Sequence, residues 1–203
     1  MTAMLWAMGF MWSDVDLTAA DECLAADLLE LDFRDRPTRL AELHRSGRLS
    51  GELATVLVPR VWRNRLDNCP LSPAKWLELF LLSDYTKQYK RAARPRRRPH
   101  LYRGATDVNR YGLSWTTNPG QAGYFARSRQ APRKVGVVWE AWIPPERLLA
   151  HVADESEYVV DARELSVRLA PAWVQRLVAD PLASARPRWW WEPVRRLAPR
   201  RSG

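Results

Sequence analysis

The chain has 203 residues, of which 46% are hydrophobic, and it carries a formal net charge of +9 at neutral pH. This hydrophobic share is enough to bury a core, so the composition excludes a wholly disordered chain. The positive charge is concentrated in two segments. Residues 87–98 hold seven basic residues and no acid, and residues 184–203 hold six basic residues and one acid. A protein coated evenly with basic charge is therefore excluded.

The two basic segments leave two interpretations open. They are either solvated, flexible stretches or surfaces that attract RNA, DNA or an acidic protein. The choice between them bears on the partner that the chain recognises.

Cysteine and hydrophobicity patterns indicate the class of cell compartment. Cys23 and Cys69 are far apart, and no Cys/His cluster has the spacing of metal ligands, so we expect no metal site. Two reduced thiols are typical of a cytoplasmic protein, or of the host cytosol for an effector or a phage product, and the alternative is one disulfide between them. The apolar segment 1–12 is too short to span a bilayer, and we expect no membrane association.

Residues 1–86 are predicted to form a helical region that packs and covers a cleft without carrying catalysis. Apolar residues recur at helical spacing from Leu17 to Leu31. A second helix is predicted around Arg39–Arg45, and a third runs from Ser50 to Pro59, where a helix should kink or end.

A fourth helix has the clearest start signal in this region. Ser72 is a suitable N-cap and Pro73 a suitable first residue, so the helix is predicted to run on to Leu82. Its predicted buried face consists of Trp76, Leu77, Phe80 and Leu81.

The second half changes from helical to strand-like patterns. Residues 87–99 are rich in Arg and Pro and are predicted to be a basic linker. Residues 100–182 are predicted to form an α+β domain, and residues 183–203 a flexible tail rich in Trp and Arg. A helix is predicted to start at Asn118-Pro119, and another covers 171–180. The predicted strands are 100–103, 112–117, 135–143, 148–152, 158–161 and 165–169.

Three short motifs occur in this order in the second half. They are Tyr102-Arg103-Gly104, then Ser114-Trp115-Thr116, then Glu155-Ser156-Glu157 followed by Tyr-Val-Val. The set resembles the signature motifs of the arginine–serine–glutamate class of ADP-ribosyltransferases, a class that includes bacterial toxins. The resemblance covers residues 100–165. It implies a split β-sheet domain with short helices, NAD⁺ as the substrate, and transfer of ADP-ribose to an acceptor.

The resemblance implies a role for each motif residue toward NAD⁺. Arg103 would grip a phosphate, because a guanidinium binds phosphate in bidentate fashion. Gly104 would allow close approach of the backbone to the nicotinamide amide, next to Tyr102. Ser114 would orient the catalytic carboxylate or contact the nicotinamide ribose, and Thr116 would support the same network.

Two carboxylates are implied to carry the chemistry. Breaking the glycosidic bond gives an oxocarbenium-like transition state, whose positive charge Glu157 would stabilise. Glu155 would face the acceptor. A Glu at this position goes with arginine targets, because a carboxylate can orient and deprotonate a guanidinium. The expected acceptor is therefore an arginine in a protein.

The spacing of the motifs departs from the class in one respect, and two alternative functions stay open. Only ten residues separate Arg103 from Ser114. This is closer to the compact layout of histidine-type relatives and tRNA 2′-phosphotransferases. The first alternative is a related transferase that acts on nucleic acid, docked by the basic linker and tail. The second is a binding module that has the transferase fold without its activity.

Overall fold

The structure, a computed structural model, describes residues 14–65, 68–128, 136–152 and 156–179. Both helices and strands occur in these ranges, so the predicted α+β class is confirmed. The helices are α1 (Ala19–Glu30), α2 (Arg36–Arg45), α3 (Gly51–Arg63), α4 (Pro73–Leu82), α5 (Pro119–Ser128) and α6 (Ala172–Ala179). The strands are β1 (Thr86–Lys87), β2 (Lys90–Arg91), β3 (His100–Ala105), β4 (Ser114–Thr116), β5 (Val137–Trp142), β6 (Leu148–Val152), β7 (Glu157–Val160) and β8 (Arg168–Leu169).

The chain divides into two compact units. The first unit consists of residues 1–99, 112–114 and 143–163, and the second of residues 100–111, 115–142 and 164–203. The predicted boundary between residues 99 and 100 coincides with a boundary between the units. Segments 112–114 and 143–163, however, were predicted to belong with the rest of 100–182, and they belong to the first unit.

The helices of the first unit begin where side chains cap them. Thr18 and Asp21 form a capping box at α1, and Ser72 accepts a hydrogen bond from the Lys75 backbone at α4, as predicted. α2 ends before Gly47, whose φ of +69° is the left-handed conformation that favours glycine.

Helix α3 corrects one prediction. It does not end at Pro59 but continues to Arg63, with Pro59 buried inside it. A proline in a helix interior costs about 3 kcal/mol. Nearly every residue of this helix from Leu53 to Trp62 is buried, and burying side chains of this size offsets such a cost.

The predicted buried face of α4 needs a smaller correction. Trp76 and Phe80 are buried, but Leu81 is 55% exposed and Leu79 is fully buried in its place. At 100° per residue, position 81 points away from the face shared by 76, 79 and 80. Leu77 is partly buried against the same core.

Four strands of the first unit pair in the order β2-β1-β6-β7. β1 is antiparallel to β2 and parallel to β6, and β6 is antiparallel to β7. Ala150 and Val159 face the core formed by α1–α4. Segment 87–99, predicted as a linker, contains all of the β1–β2 hairpin except Thr86, and Arg91 there forms ion pairs with Asp84 and Glu52.

Strands of the second unit pair in the order β4-β3-β5-β8, and each of these pairs is antiparallel. Helices α5 and α6 cover one face of this sheet. Tyr102 and Val138 on the strands pack against Ala122 and Ala126 of α5 and Val174 of α6. Of the predicted strand 165–169, only Arg168–Leu169 is a strand.

Two further findings concern the described residues as a set. No helix among them is long and apolar enough to cross a membrane. Nor do these ranges contain a group of three His, Cys, Asp or Glu side chains placed to hold a metal ion. The predicted tail, residues 183–203, and the apolar segment 1–12 lie outside the described residues.

Candidate functional site

Glu157 is the first residue of β7, and its carboxylate is held by the helical region of the first unit. The residue is only 6% exposed. Its Oε1 accepts hydrogen bonds from Trp62 Nε1 and from Arg65 Nη2, both at 3.2 Å. A buried charge needs such partners, because an isolated carboxylate would pay a large desolvation cost.

Arg65 follows α3 and is fixed in three ways. Its Nη1 donates to the Trp62 carbonyl at 2.8 Å, its guanidinium lies 3.4 Å from the centroid of the Trp62 ring, and it forms the ion pair with Glu157. Trp62 in turn packs edge-on against Trp76 and Phe80, with ring centroids 5.2 and 5.4 Å away. The aromatic core of the helical region therefore sets the position of the carboxylate.

The two oxygens of Glu157 differ in what they contact. Within the part of the chain that the structure describes, both hydrogen bonds go to Oε1 and none goes to Oε2. An ionised carboxylate has about four acceptor positions. Oε1 thus anchors the group, and Oε2 retains its acceptor capacity for a ligand hydroxyl or a developing positive charge.

The other predicted residues around this carboxylate are only partly described. Ser114 begins β4 and is half-buried. The preceding residue, Leu113, accepts a hydrogen bond at 2.8 Å from the backbone of Val160 on β7. Ser156, with a left-handed φ of +50°, turns the chain into β7. Glu155 lies outside the described residues.

Arg103 is half-buried on β3 of the second unit. Its Nε donates to the carbonyl of Asn109 at 3.0 Å, which ties the guanidinium to the turn that follows the strand. Ser114 and Glu157 belong to the first unit. The convergence of all three on one cleft therefore stays a prediction.

Four residues predicted to bind NAD⁺ lie on two different faces of the sheet in the second unit: Tyr102, Arg103, Gly104 and Thr116. Side chains alternate along a strand, so Tyr102 and Gly104 lie on one face of β3 and Arg103 on the other. Tyr102 packs against α5. A Cβ on Gly104 would lie 1.9 Å from the Ala122 carbonyl oxygen of α5. Helix packing therefore requires Gly104, which lies within β3 and not in a strand-ending turn, and its role toward NAD⁺ stays a prediction.

Thr116 lies on the same face as Tyr102, because the two residues pair across β3 and β4. Its hydroxyl donates to Gln121 Oε1 at 2.8 Å and accepts from the Asn118 backbone at 3.0 Å. The hydroxyl therefore organises the start of α5. Of these four residues only Arg103 has its side chain on the face away from α5, and the roles of all four toward NAD⁺ stay predictions.

A second polar cluster occupies the helix-covered face of the second unit. Glu140 is 2% exposed. It pairs with Arg168 at 2.8 Å and lies 3.1 Å from His100 Nε2, in a geometry that makes no hydrogen bond. Burial, and then the Glu140 charge, raise the pKa of Tyr102. These contacts explain the buried charge by local pairing.

Sequence reasoning missed Trp62 and Arg65. They lie 95 and 92 positions before Glu157, and the helical region carries no motif that indicates a polar contact. A tryptophan near the end of an apolar helix predicts core packing, and only the fold brings its Nε1 to the carboxylate. The half-buried ring of His151 stacks on the Tyr158 ring, with centroids 4.0 Å apart.

Comparison of the chain with protein-family models, with curated proteins and with solved structures finds no match.

Proposed function

We propose that the chain is an NAD⁺-dependent mono-ADP-ribosyltransferase whose acceptor is an arginine in a protein. The observation that carries the proposal is the fixed carboxylate of Glu157, buried at the start of β7 and held through Oε1 alone. Preorganised charge of this kind stabilises a transition state without reorganising during the reaction. The order of the three motifs supplies the identity of the substrate.

In the proposed reaction, the bond between the nicotinamide nitrogen and C1′ of its ribose breaks. The electron pair leaves with nicotinamide and neutralises its ring. Glu157 Oε2 stabilises the oxocarbenium-like ribose, and a guanidinium nitrogen of the acceptor then bonds to C1′. Glu155 accepts the proton that this nitrogen loses.

The remaining assignments concern binding. Arg103 grips a phosphate of NAD⁺ with its guanidinium. Ser114 orients the carboxylate or the ribose from the start of β4. Trp62 and Arg65 are positioning residues, because they act on the substrate through Glu157.

A second candidate is a module with this fold that binds a ligand without turning it over. One observation favours it: Arg65 pairs with Glu157, and its positive charge offsets part of the negative charge that the transition state would need. The two candidates make opposite predictions for NAD⁺ turnover by the pure protein.

The test uses the full chain and tagged NAD⁺. Release of nicotinamide by pure protein supports the enzyme, and its absence at high enzyme concentration supports the binding module. Labelling in a bacterial lysate then identifies the acceptor. Label removed by protease and stable to nuclease supports a protein acceptor, whereas label removed by nuclease supports the nucleic-acid alternative.

A further inference from the structure

One face of the first unit carries a row of side chains that the proposed reaction does not use. Lys90 pairs with Lys87, Lys87 with His151, and His151 with Tyr158, so the four residues lie side by side across β2, β1, β6 and β7. We call them the Lys–aromatic row. Strands lie about 4.8 Å apart, so the row is about 14 Å long.

The row faces away from the helical core. Ala150 and Val159, the neighbours of His151 and Tyr158 along their strands, pack into the core of α1–α4. Because side chains alternate, His151 and Tyr158 point to the opposite face. Both rings are half-buried. They stack with centroids 4.0 Å apart and planes 8° apart.

The two lysines form an unusual pair. Like charges directly opposite each other on adjacent strands repel. Both lysines are exposed, and in the described ranges neither forms an ion pair with a carboxylate. Arg96, Arg97 and Arg98 follow nearby in sequence and are also exposed. A bound polyanion would relieve this repulsion.

The turn that holds the lysines is fixed rather than loose. Gln88 and Tyr89 have left-handed φ values of 52° and 65°, the conformation of a two-residue type I′ hairpin turn. Guanidinium carbons of Arg60 and Arg63 on α3 each lie 5.7 Å from the Tyr89 ring centroid. The lysine pair is therefore presented in a defined position.

We propose that the Lys–aromatic row binds single-stranded nucleic acid, with phosphates on Lys87 and Lys90 and a base on the His151–Tyr158 stack. Proteins that bind single-stranded nucleic acid combine cationic side chains, which contact phosphates, with aromatic rings, on which bases stack. A duplex hides the faces of its bases, and the Asp and Glu side chains that give a peptide its negative charge have no ring to stack. Burial, and then Lys87, lower the pKa of His151, so its ring is neutral near pH 7 and adds no charge to the row.

The experiment measures binding without NAD⁺, so its outcome is separate from that of the proposed reaction. A fluorescein-labelled oligothymidine of about 12 nucleotides is titrated with the full chain, and anisotropy is recorded at several salt concentrations. A duplex of the same length and vesicles rich in phosphatidylserine are the comparison ligands. The proposal predicts the tightest binding to the single strand.

Two sets of variants test the two parts of the row. The double variant Lys87→Gln with Lys90→Gln should make the fall of log K with log salt less steep by about 1.4. Each phosphate contact on a single strand contributes about 0.7 to this slope. The matched control is Arg45→Gln with Arg48→Gln, which removes two exposed positive charges elsewhere in the first unit. Tyr158→Leu should weaken binding about tenfold or more, and Tyr158→Phe, which keeps the ring, should bind like wild type.

Several results would overturn the proposal. Tyr158→Leu with wild-type affinity would exclude stacking, and a Lys87/Lys90 variant equal to its Arg45/Arg48 control would exclude the phosphate contacts. Equal affinity for the duplex and the single strand would mean that the row does not stack on exposed bases. Binding to the vesicles in place of the oligonucleotide would make the row a membrane-facing surface.

Discussion

Neighbouring residues of one motif perform different tasks. Arg103 is the one member of Tyr102-Arg103-Gly104 whose side chain lies on the face of β3 away from α5. Gly104 instead lets α5 approach the strand, with the Ala122 carbonyl where a side chain would be. The motif therefore singles out the residues, and the alternation of side chains along β3 decides which face of the sheet each residue occupies.

The role of Gly104 in helix packing can be tested by adding one methyl group. In Gly104→Ala the Cβ would lie 1.9 Å from the Ala122 carbonyl oxygen and 2.5 Å from the Ala126 nitrogen, both backbone atoms that cannot rotate away. Overpacking of this kind costs about 1–3 kcal/mol or more. Urea unfolding should show this loss. Gly51→Ala is the control: its one contact, 3.2 Å to the Leu82 carbonyl oxygen, needs a shift of only a few tenths of an ångström, so its loss of stability should be much smaller than that of Gly104→Ala. A fully stable Gly104→Ala would refute the packing role.

Arg65 should affect turnover through the position of Glu157. Arg65→Gln removes a hydrogen bond to a buried carboxylate, a loss of about 1.5–3 kcal/mol in unfolding free energy. If the chain cleaves NAD⁺, kcat should fall more than KM changes, because the carboxylate loses its fixed position. Arg65→Lys, which keeps the charge, should recover part of the rate. Equal kcat in wild type and Arg65→Gln would remove the positioning role.

At the level of elements, local signals predicted where helices begin better than where they end. Ser72 and Asn118 have the side chains that cap α4 and α5, and both do so. Pro59 predicted an end to α3 that the structure does not have, because the burial of its neighbours is a tertiary effect. Position 81 was misplaced because four apolar residues in one turn region leave the buried face ambiguous.

Strand β7 ends in a charge cluster that should make stability depend on pH. Asp161 follows the strand, and its pKa is lowered first by the side-chain hydrogen bond from Arg163 and further by Arg147. A lowered folded pKa contributes stability above the ordinary value of 3.8, which is lost as the pH falls below it through the folded value. The difference between the urea midpoints at pH 7 and pH 3 should therefore be smaller in Asp161→Asn than in wild type. Asp27→Asn, at an exposed position of α1, should keep the wild-type difference. An unchanged pH dependence in Asp161→Asn would contradict this account.

For the whole molecule, the α+β class and the helical first region were predictable, but the division into units was not. Segments 112–114 and 143–163 join the helical region through non-local contacts, because β6 pairs with β1 and because Leu113 and Val159 pack into the core of α1–α4. The candidate carboxylate was predictable from its motif. Its partners Trp62 and Arg65 were not, because no local pattern links positions more than 90 residues apart.

The most direct test of the central claim is the turnover of NAD⁺ by Glu157→Gln. The substitution keeps the size and the hydrogen bonds of the side chain but removes its negative charge. The account predicts a loss of roughly 10²–10³ in the rate of nicotinamide release. NAD⁺ affinity, measured by calorimetry, should stay near wild type, and Glu30→Gln at an exposed position should behave as wild type. Wild-type turnover in Glu157→Gln would contradict the claim that this carboxylate carries the chemistry.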